Sequence, residues 1–250
     1  MTAMSEHQHH SAPPGDRAAW AKTAILLGMG LYFGWLIISG NLNYYINQRF
    51  AWLVIVGTVI FVLLALVNLY SSLRRADDCQ HQHFDIGWDI LFIVAFPLLL
   101  ALIVPSRSLG IEAINGGISL NPVGIASQAS FQRSPLDRNI LDWLREFERA
   151  SAPAVFNGTA ADVIGFVYRE PTFAEDSFML SRFTMSCCVA DAFPIGMPVS
   201  APGSADYMAG AWLRVRGELA AADFAGDYLP VLFADSLEPI AEPQQPYLYP

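Results

Sequence analysis

The sequence predicts a membrane-anchored α+β chain. Three N-terminal transmembrane helices are followed by one helix and then a C-terminal five-stranded OB-like β-barrel or β-meander. The long apolar runs are confined to residues 18–105. From Ala161 the apolar period changes to two. Five short strand candidates follow, separated by Gly and Pro. The 250 residues are 54% apolar with a mean hydropathy of +0.36, above the ordinary soluble composition.

Residues 1–17 are a polar tail carrying His7, His9 and His10. No small-residue cleavage pattern follows the first apolar run, so the segment reads as a disordered tail and not a signal peptide. Residues 18–105 hold three expected spans. The first, 18–39, is free of charge from Thr23 onward. The second, 50–70, has no charge at all, and both reach the length that a hydrocarbon core of about 30 Å requires. The third, 88–104, carries Asp89 at its entrance and Pro97 inside. Within the first span, Gly30 and Gly34 form a GxxxG face on which another helix can pack closely.

Arg17, Lys22, Arg74 and Arg75 fall on one side of these spans, and Arg49 and Arg107 on the other. The positive-inside bias therefore places the N-terminus in the cytoplasm and the C-terminal domain outside it. The expected location is a cell membrane crossed several times. On the cytoplasmic side, Cys79, His81 and His83 form a loose donor cluster for a divalent transition metal such as zinc, or else a solvated loop.

Residues 106–135 read as a linker and 136–250 as the extracytoplasmic domain. Ser134 is the expected N-cap of a helix through about residue 149, with Pro135 at its first position. Ile140, Leu141, Leu144 and Phe147 lie on one face, with Asp142, Arg145, Glu146 and Arg149 mostly opposite. The strand candidates are 162–169, 178–187, 195–199, 212–219 and 231–237. Gly165 and Gly217 inside strands suit the bulges that close a small barrel. The proline-rich end, EPQQPYLYP, should run extended. Residues 106–250 carry nine Arg against seventeen Asp and Glu and no histidine. Such an acidic domain repels a phosphate backbone, so no nucleic-acid partner is expected.

The segment FMLSRFTMSCCVADAFPIGMP, residues 178–198, holds Cys187, Cys188 and Asp191. On a strand, the two adjacent thiols point to opposite faces. Three accounts stay open. One cysteine is a small buried hydrophobe and the other a bystander. Alternatively a thiolate and Asp191 ligate a soft cation, with zinc the natural candidate. Redox exchange is the least favoured, because no CxxC and no local Lys or His would activate a thiolate. Arg182 is expected to pair with Asp176 or Asp191.

GFVYRE (165–170), FMLSRFTMSCCVADAFPIGMPV, WLRVRGEL (212–219), LPVLFADSLEPI and PYLYP together resemble a YcgQ-like bacterial family of permease subunits with no attached reaction. The family combines a hydrophobic N-terminal region with a C-terminal domain marked by Cys-Cys-x-x-Asp. The resemblance implies a multi-span integral membrane permease as partner, alongside the lipid bilayer, and a metal ion or metal complex as cargo. The leading expectation is thus a non-enzymatic accessory subunit of a two-component permease. The alternative is a free-standing membrane-anchored metal-binding or thiol sensor. No nucleophile elbow, P-loop or paired metal-histidine helix supports an enzyme.

Overall fold

The computed structural model describes residues 15–74, 88–114, 117–120 and 133–250. They form two units. One comprises Met1–Gly40 with Ala51–Ser106, and the other Asn41–Phe50 with Arg107–Pro250. The expected cluster of Cys79, His81 and His83 lies outside the described residues.

The first unit is built from α1 (Gly15–Ser39), α2 (Ala51–Arg74) and α3 (Trp88–Ile103). Two of its stretches, Ala19–Ser39 and Gln48–Arg74, are long and apolar enough to cross a membrane. The third expected span, 88–104, is the helix α3, of 16 residues. At ~1.5 Å per residue it reaches about 24 Å, short of the hydrocarbon thickness. Pro105 bounds it at one end, since the residue before a proline is driven out of the helical region. Among the described residues, two helices are long and apolar enough to cross a membrane, and α3 is a shorter apolar helix.

Away from α1, α2 exposes a broad face of large apolar residues, among them Trp52, Ile55, Val59, Leu63 and Val67. Such a helix suits lipid and not water. Asn68 pins it to α1. Asn68 Nδ2 donates to Thr23 Oγ1 at 2.9 Å and to Ala19 O at 3.3 Å. Gly30 faces α2, where an added Cβ would come within 2.8 Å of Val62. A Cβ at Gly34 would meet nothing within 4 Å.

The second unit carries α4 (Ile140–Arg149) and six strands. These are β1 (Thr159–Tyr168), β2 (Ser177–Thr184), β3 (Phe193–Ser200), β4 (Trp212–Phe224), β5 (Asp227–Pro239) and β6 (Tyr247–Leu248). The order is β1-β4-β5-β3-β2-β6, and an additional β1–β2 pairing closes the first five into a barrel. Among the named strands, β3–β5 and β2–β6 pair in parallel. All five strand candidates exist, and β4 and β5 are longer than expected because they form one hairpin of 13-residue arms. The extended C-terminal tail ends in β6, an unexpected sixth strand.

Closure explains Gly217. The register of β4 on β5 shifts between Arg216 and Gly217, and a Cβ at Gly217 would lie 2.0 Å from Phe233 O. The bulge needs a residue without a side chain there. Gly165 serves a different purpose from the expected bulge. It lies in regular β1–β4 register opposite Leu213. It lets α4 approach, since a Cβ there would meet Ser181 O at 2.7 Å and Ile140 at 3.1 Å.

The helix that closes the core begins later than expected. Ser134 and Pro135 start only a short 3₁₀ turn. The cap of α4 is Asn139, whose side chain accepts from Asp142 N while Asp142 accepts from Asn139 N, a reciprocal capping box. Asp142 and Arg145 are buried and not on a wet face. Asp142 can be buried because its Oδ2 accepts from Arg133 Nη1 at 2.8 Å and from Asn139 N at 3.3 Å, while Arg145 Nη1 lies 3.9 Å from its Oδ1. Ile140, Leu141, Trp143 and Leu144 pack with Leu180, Met197, Leu213, Leu219 and Leu232 in the main core.

Candidate functional site

The Cys-Cys segment does not lie on a strand, which corrects the expectation of opposite faces. Strand β2 stops at Thr184, and Val189–Asp191 is a 3₁₀ turn. Between them, the backbone folds around one carboxylate. Asp191 Oδ1 accepts from Ser186 N at 3.0 Å, and its Oδ2 accepts from Cys187 N at 2.8 Å. The turn itself is closed by Asp191 N donating to Cys188 O at 3.0 Å. With alternation broken, Cys187 Sγ and Cys188 Sγ come within 3.7 Å of each other. Cys187 is exposed and Cys188 half-buried, and both thiols are free.

A second wall comes from the loop between α1 and α2. Tyr45 O accepts from Val189 N at 2.9 Å, and Asn47 N donates to Cys187 O at 3.0 Å. Ile46 and Cys188 form an antiparallel bridge. Asn47 is 3% exposed. Its Nδ2 donates to Ser186 O at 2.8 Å, and its Oδ1 accepts from Arg49 N at 3.0 Å. The loop Asn41–Phe50 is therefore part of the site. Its one legible signal was composition, since Leu42, Tyr44, Tyr45 and Ile46 are more apolar than a solvated loop requires.

The electrostatics follow from this packing. Burial works to raise the Asp191 carboxyl. Hydrogen bonds from the Cys187 thiol and from the Cys187 and Ser186 amides outweigh it and hold the group below the usual carboxylate range. The Cys187 thiol is pushed up to about 11, first by its hydrogen bond to Asp191 and next by Cys188. A protonated thiol is a poor nucleophile, so redox exchange is disfavoured by geometry as well as composition. In a Cys79→Ser/Cys188→Ser chain, alkylation of Cys187 by iodoacetamide should be slow at neutral pH and climb steadily as pH rises toward 11. Adding Asp191→Asn should speed it at pH 8, and an unchanged rate would contradict the Asp191 effect.

Arg182 does not pair with either expected acid. Asp176 Oδ1 accepts from Gly203 N at 3.1 Å, and Asp191 is used as above. Arg182 Nε donates instead to Pro246 O at 2.8 Å, and its Nη2 donates to Gln245 O at 2.6 Å. Its guanidinium lies 5.2 Å from the centre of the Trp212 ring. Burial lowers its pKa to about 10. Beside it, Phe166, Phe183, Met185 and Tyr247 form a second core, with Tyr247 Oη accepting from Leu109 N at 2.8 Å. The C-terminal tail is thereby tied under the Cys-Cys segment, and Met185 N donates to Leu248 O at 3.0 Å.

Among the described residues, no group of three or more His, Cys, Asp or Glu side chains is arranged to hold a metal ion. The sequence-predicted set of Cys187, Cys188 and Asp191 is brought together in space. Asp191, however, is spent on backbone amides.

Two family models match the chain. The DUF1980 N-terminal domain covers residues 21–116 and the DUF1980 C-terminal domain residues 136–250. A relative from Streptococcus mutans, provisionally named a two-component membrane permease complex subunit, is 23% identical over 263 residues, covering 88% of this chain and 94% of its own length. UPF0703 protein YcgQ from Bacillus subtilis is 22% identical over 277 residues, covering 90% and 97%. With both of its domains matched in order, hydrophobic helices first and the Cys-Cys-x-x-Asp barrel second, the chain belongs to the DUF1980 family.

Proposed function

We propose that this chain is a non-enzymatic accessory subunit of a two-component membrane permease. It crosses the bacterial inner membrane three times and presents an OB-like barrel on the extracytoplasmic side to a multi-span partner. The permease role is carried over from the Streptococcus mutans relative's name. One observation of this chain supports the topology. The loop Asn41–Phe50 and the domain Arg107–Pro250 fold as one unit, joined by the hydrogen bonds of Tyr45 and Asn47 to the Cys-Cys segment. Both must then emerge on the same face of the bilayer. If α2 crosses once, the chain must cross again before Arg107, and α3 is the helix available for it. A short helix is accommodated by local thinning of the bilayer at modest cost.

The cytoplasmic N-terminus rests on the distribution of Arg and Lys around the spans. The partner face rests on Gly34, which is uncovered in this chain, whereas Gly30 is taken up by α2. The cargo implied by the family resemblance, a metal ion or metal complex, depends on the chemistry of Cys187 and Cys188.

An alkaline phosphatase fused after Pro250 should be active, and a fluorescent protein fused there should stay dark. Mild-detergent extraction should bring down a larger membrane protein, and Gly34→Leu should reduce its recovery several-fold. A cytosolic C-terminus would overturn the three crossings. Extraction as a solitary chain would favour the free-standing sensor.

A further inference from the structure

The two sulfurs stand at the spacing of a chelate. Two thiolates bound to one tetrahedral zinc at ~2.3 Å each lie about 3.8 Å apart, and Cys187 Sγ and Cys188 Sγ lie 3.7 Å apart. We infer that Cys187 and Cys188 together chelate one soft or borderline cation of the zinc and cadmium type. The bound ion's other positions are left to water or to a partner protein. This names a cargo class for the subunit proposed above. Only the word cargo rests on that reading, because the chelate rests on geometry alone.

A disulfide is the obvious competitor for an adjacent pair. Neighbouring Cα atoms across a trans peptide are about 3.8 Å apart, below the roughly 4.4–6.8 Å that disulfides span. A bridge would have to distort a backbone that is pinned on both sides. Asp191 holds the amides of Ser186 and Cys187, and Asn47 holds the carbonyls of Ser186 and Cys187. Bringing one ion to both sulfurs needs no such distortion.

Asp191 acts here as a positioning residue and a fixed negative charge, not as a ligand. Among the described residues no Arg or Lys forms an ion pair with it. A bound metal ion displaces the thiol protons, so binding should tighten as pH rises. Structural zinc sites close four protein ligands around the metal, and exchangeable ones keep open positions. Two protein ligands on an exposed segment suit capture and release.

The test uses the full chain in detergent in a Cys79→Ser background, which removes the remaining thiol from the count. Cadmium should bind through the pair with a thiolate-to-metal charge-transfer band in the ultraviolet, and zinc should compete for it. Cys187→Ser and Cys188→Ser should each weaken binding at least tenfold. Cys187 is exposed and serine is nearly isosteric, so folding should survive. A second measurement needs neither of these substitutions: zinc should protect Cys187 and Cys188 from alkylation in the otherwise native chain. A band that persists unchanged in the double serine variant would overturn the chelate, as would thiols that zinc does not protect. Neither result bears on the fusion reporters or on co-purification, so the two proposals fail separately.

Discussion

Replacing Arg182 with leucine is expected to lower the melting temperature by roughly 6–12 °C and to release the C-terminal tail to carboxypeptidase. The guanidinium donates to two consecutive backbone carbonyls, Gln245 O and Pro246 O, and among the described residues no carboxylate forms an ion pair with it. Hydrogen bonds from a charged donor are worth about 1.5–3 kcal/mol each, and a carbonyl left buried without a donor costs on the same scale. Stacking on Trp212 adds a smaller contribution. Some of this is returned because leucine has no charge to desolvate, so the net loss should be about 3 kcal/mol. For a chain of this size, each kcal/mol moves the melting temperature by about 2–4 °C.

The tail should come away first, because β6 is only two residues long and pairs with β2 at Phe183 and Thr184 alone. Lysine is no substitute, since a compact ammonium cannot present the fork that spans both carbonyls. Equal tail protection in the wild type and in Arg182→Leu would show that Tyr247 and Leu248 dock by apolar packing without the arginine.

The β-rich half was legible because its strands alternate and its breaks fall at Gly and Pro. The hydrophobic pattern located all five barrel strands along the chain but not the order in which they pair. Contacts between remote segments were less legible. Arg182 was set beside two plausible acids, and nothing local distinguishes a carboxylate from a backbone carbonyl 63 residues away. The capping box was present in the sequence as Asn139 and Asp142, but Ser134 and Pro135 supplied a competing start signal, and the chain uses them for a separate turn.

The Cys-Cys segment shows the same limit more sharply. Period-two reasoning carries β2 through Cys187. The strand ends at Thr184 because Asp191 folds the backbone round its carboxylate and the loop Asn41–Phe50 lies along the segment. A contact between residue 47 and residue 186 has no trace in the local pattern of either. The third apolar run was legible as a helix to within a residue of its end, where Pro105 stops it.

The largest single loss should follow from Trp143→Ala, at about 3–5 kcal/mol, enough to remove much of the stability of a typical domain. Trp143 is fully buried on α4. It meets Phe147 and Phe156 at ring separations of 5.8 and 6.2 Å, with Arg138 over its other side at 4.9 Å. Among the described residues its Nε1 finds no hydrogen-bond partner. The indole is therefore held by shape and not by its polar edge. Trp143→Phe should accordingly cost far less, about 1 kcal/mol, because it removes volume without orphaning an acceptor. Denaturant unfolding of the two variants in the same detergent measures the difference. A phenylalanine variant as unstable as the alanine one would mean that the indole N–H has a partner. A mild alanine variant would mean that α4 is not what closes the barrel core, and the role assigned to the close approach at Gly165 would fall with it.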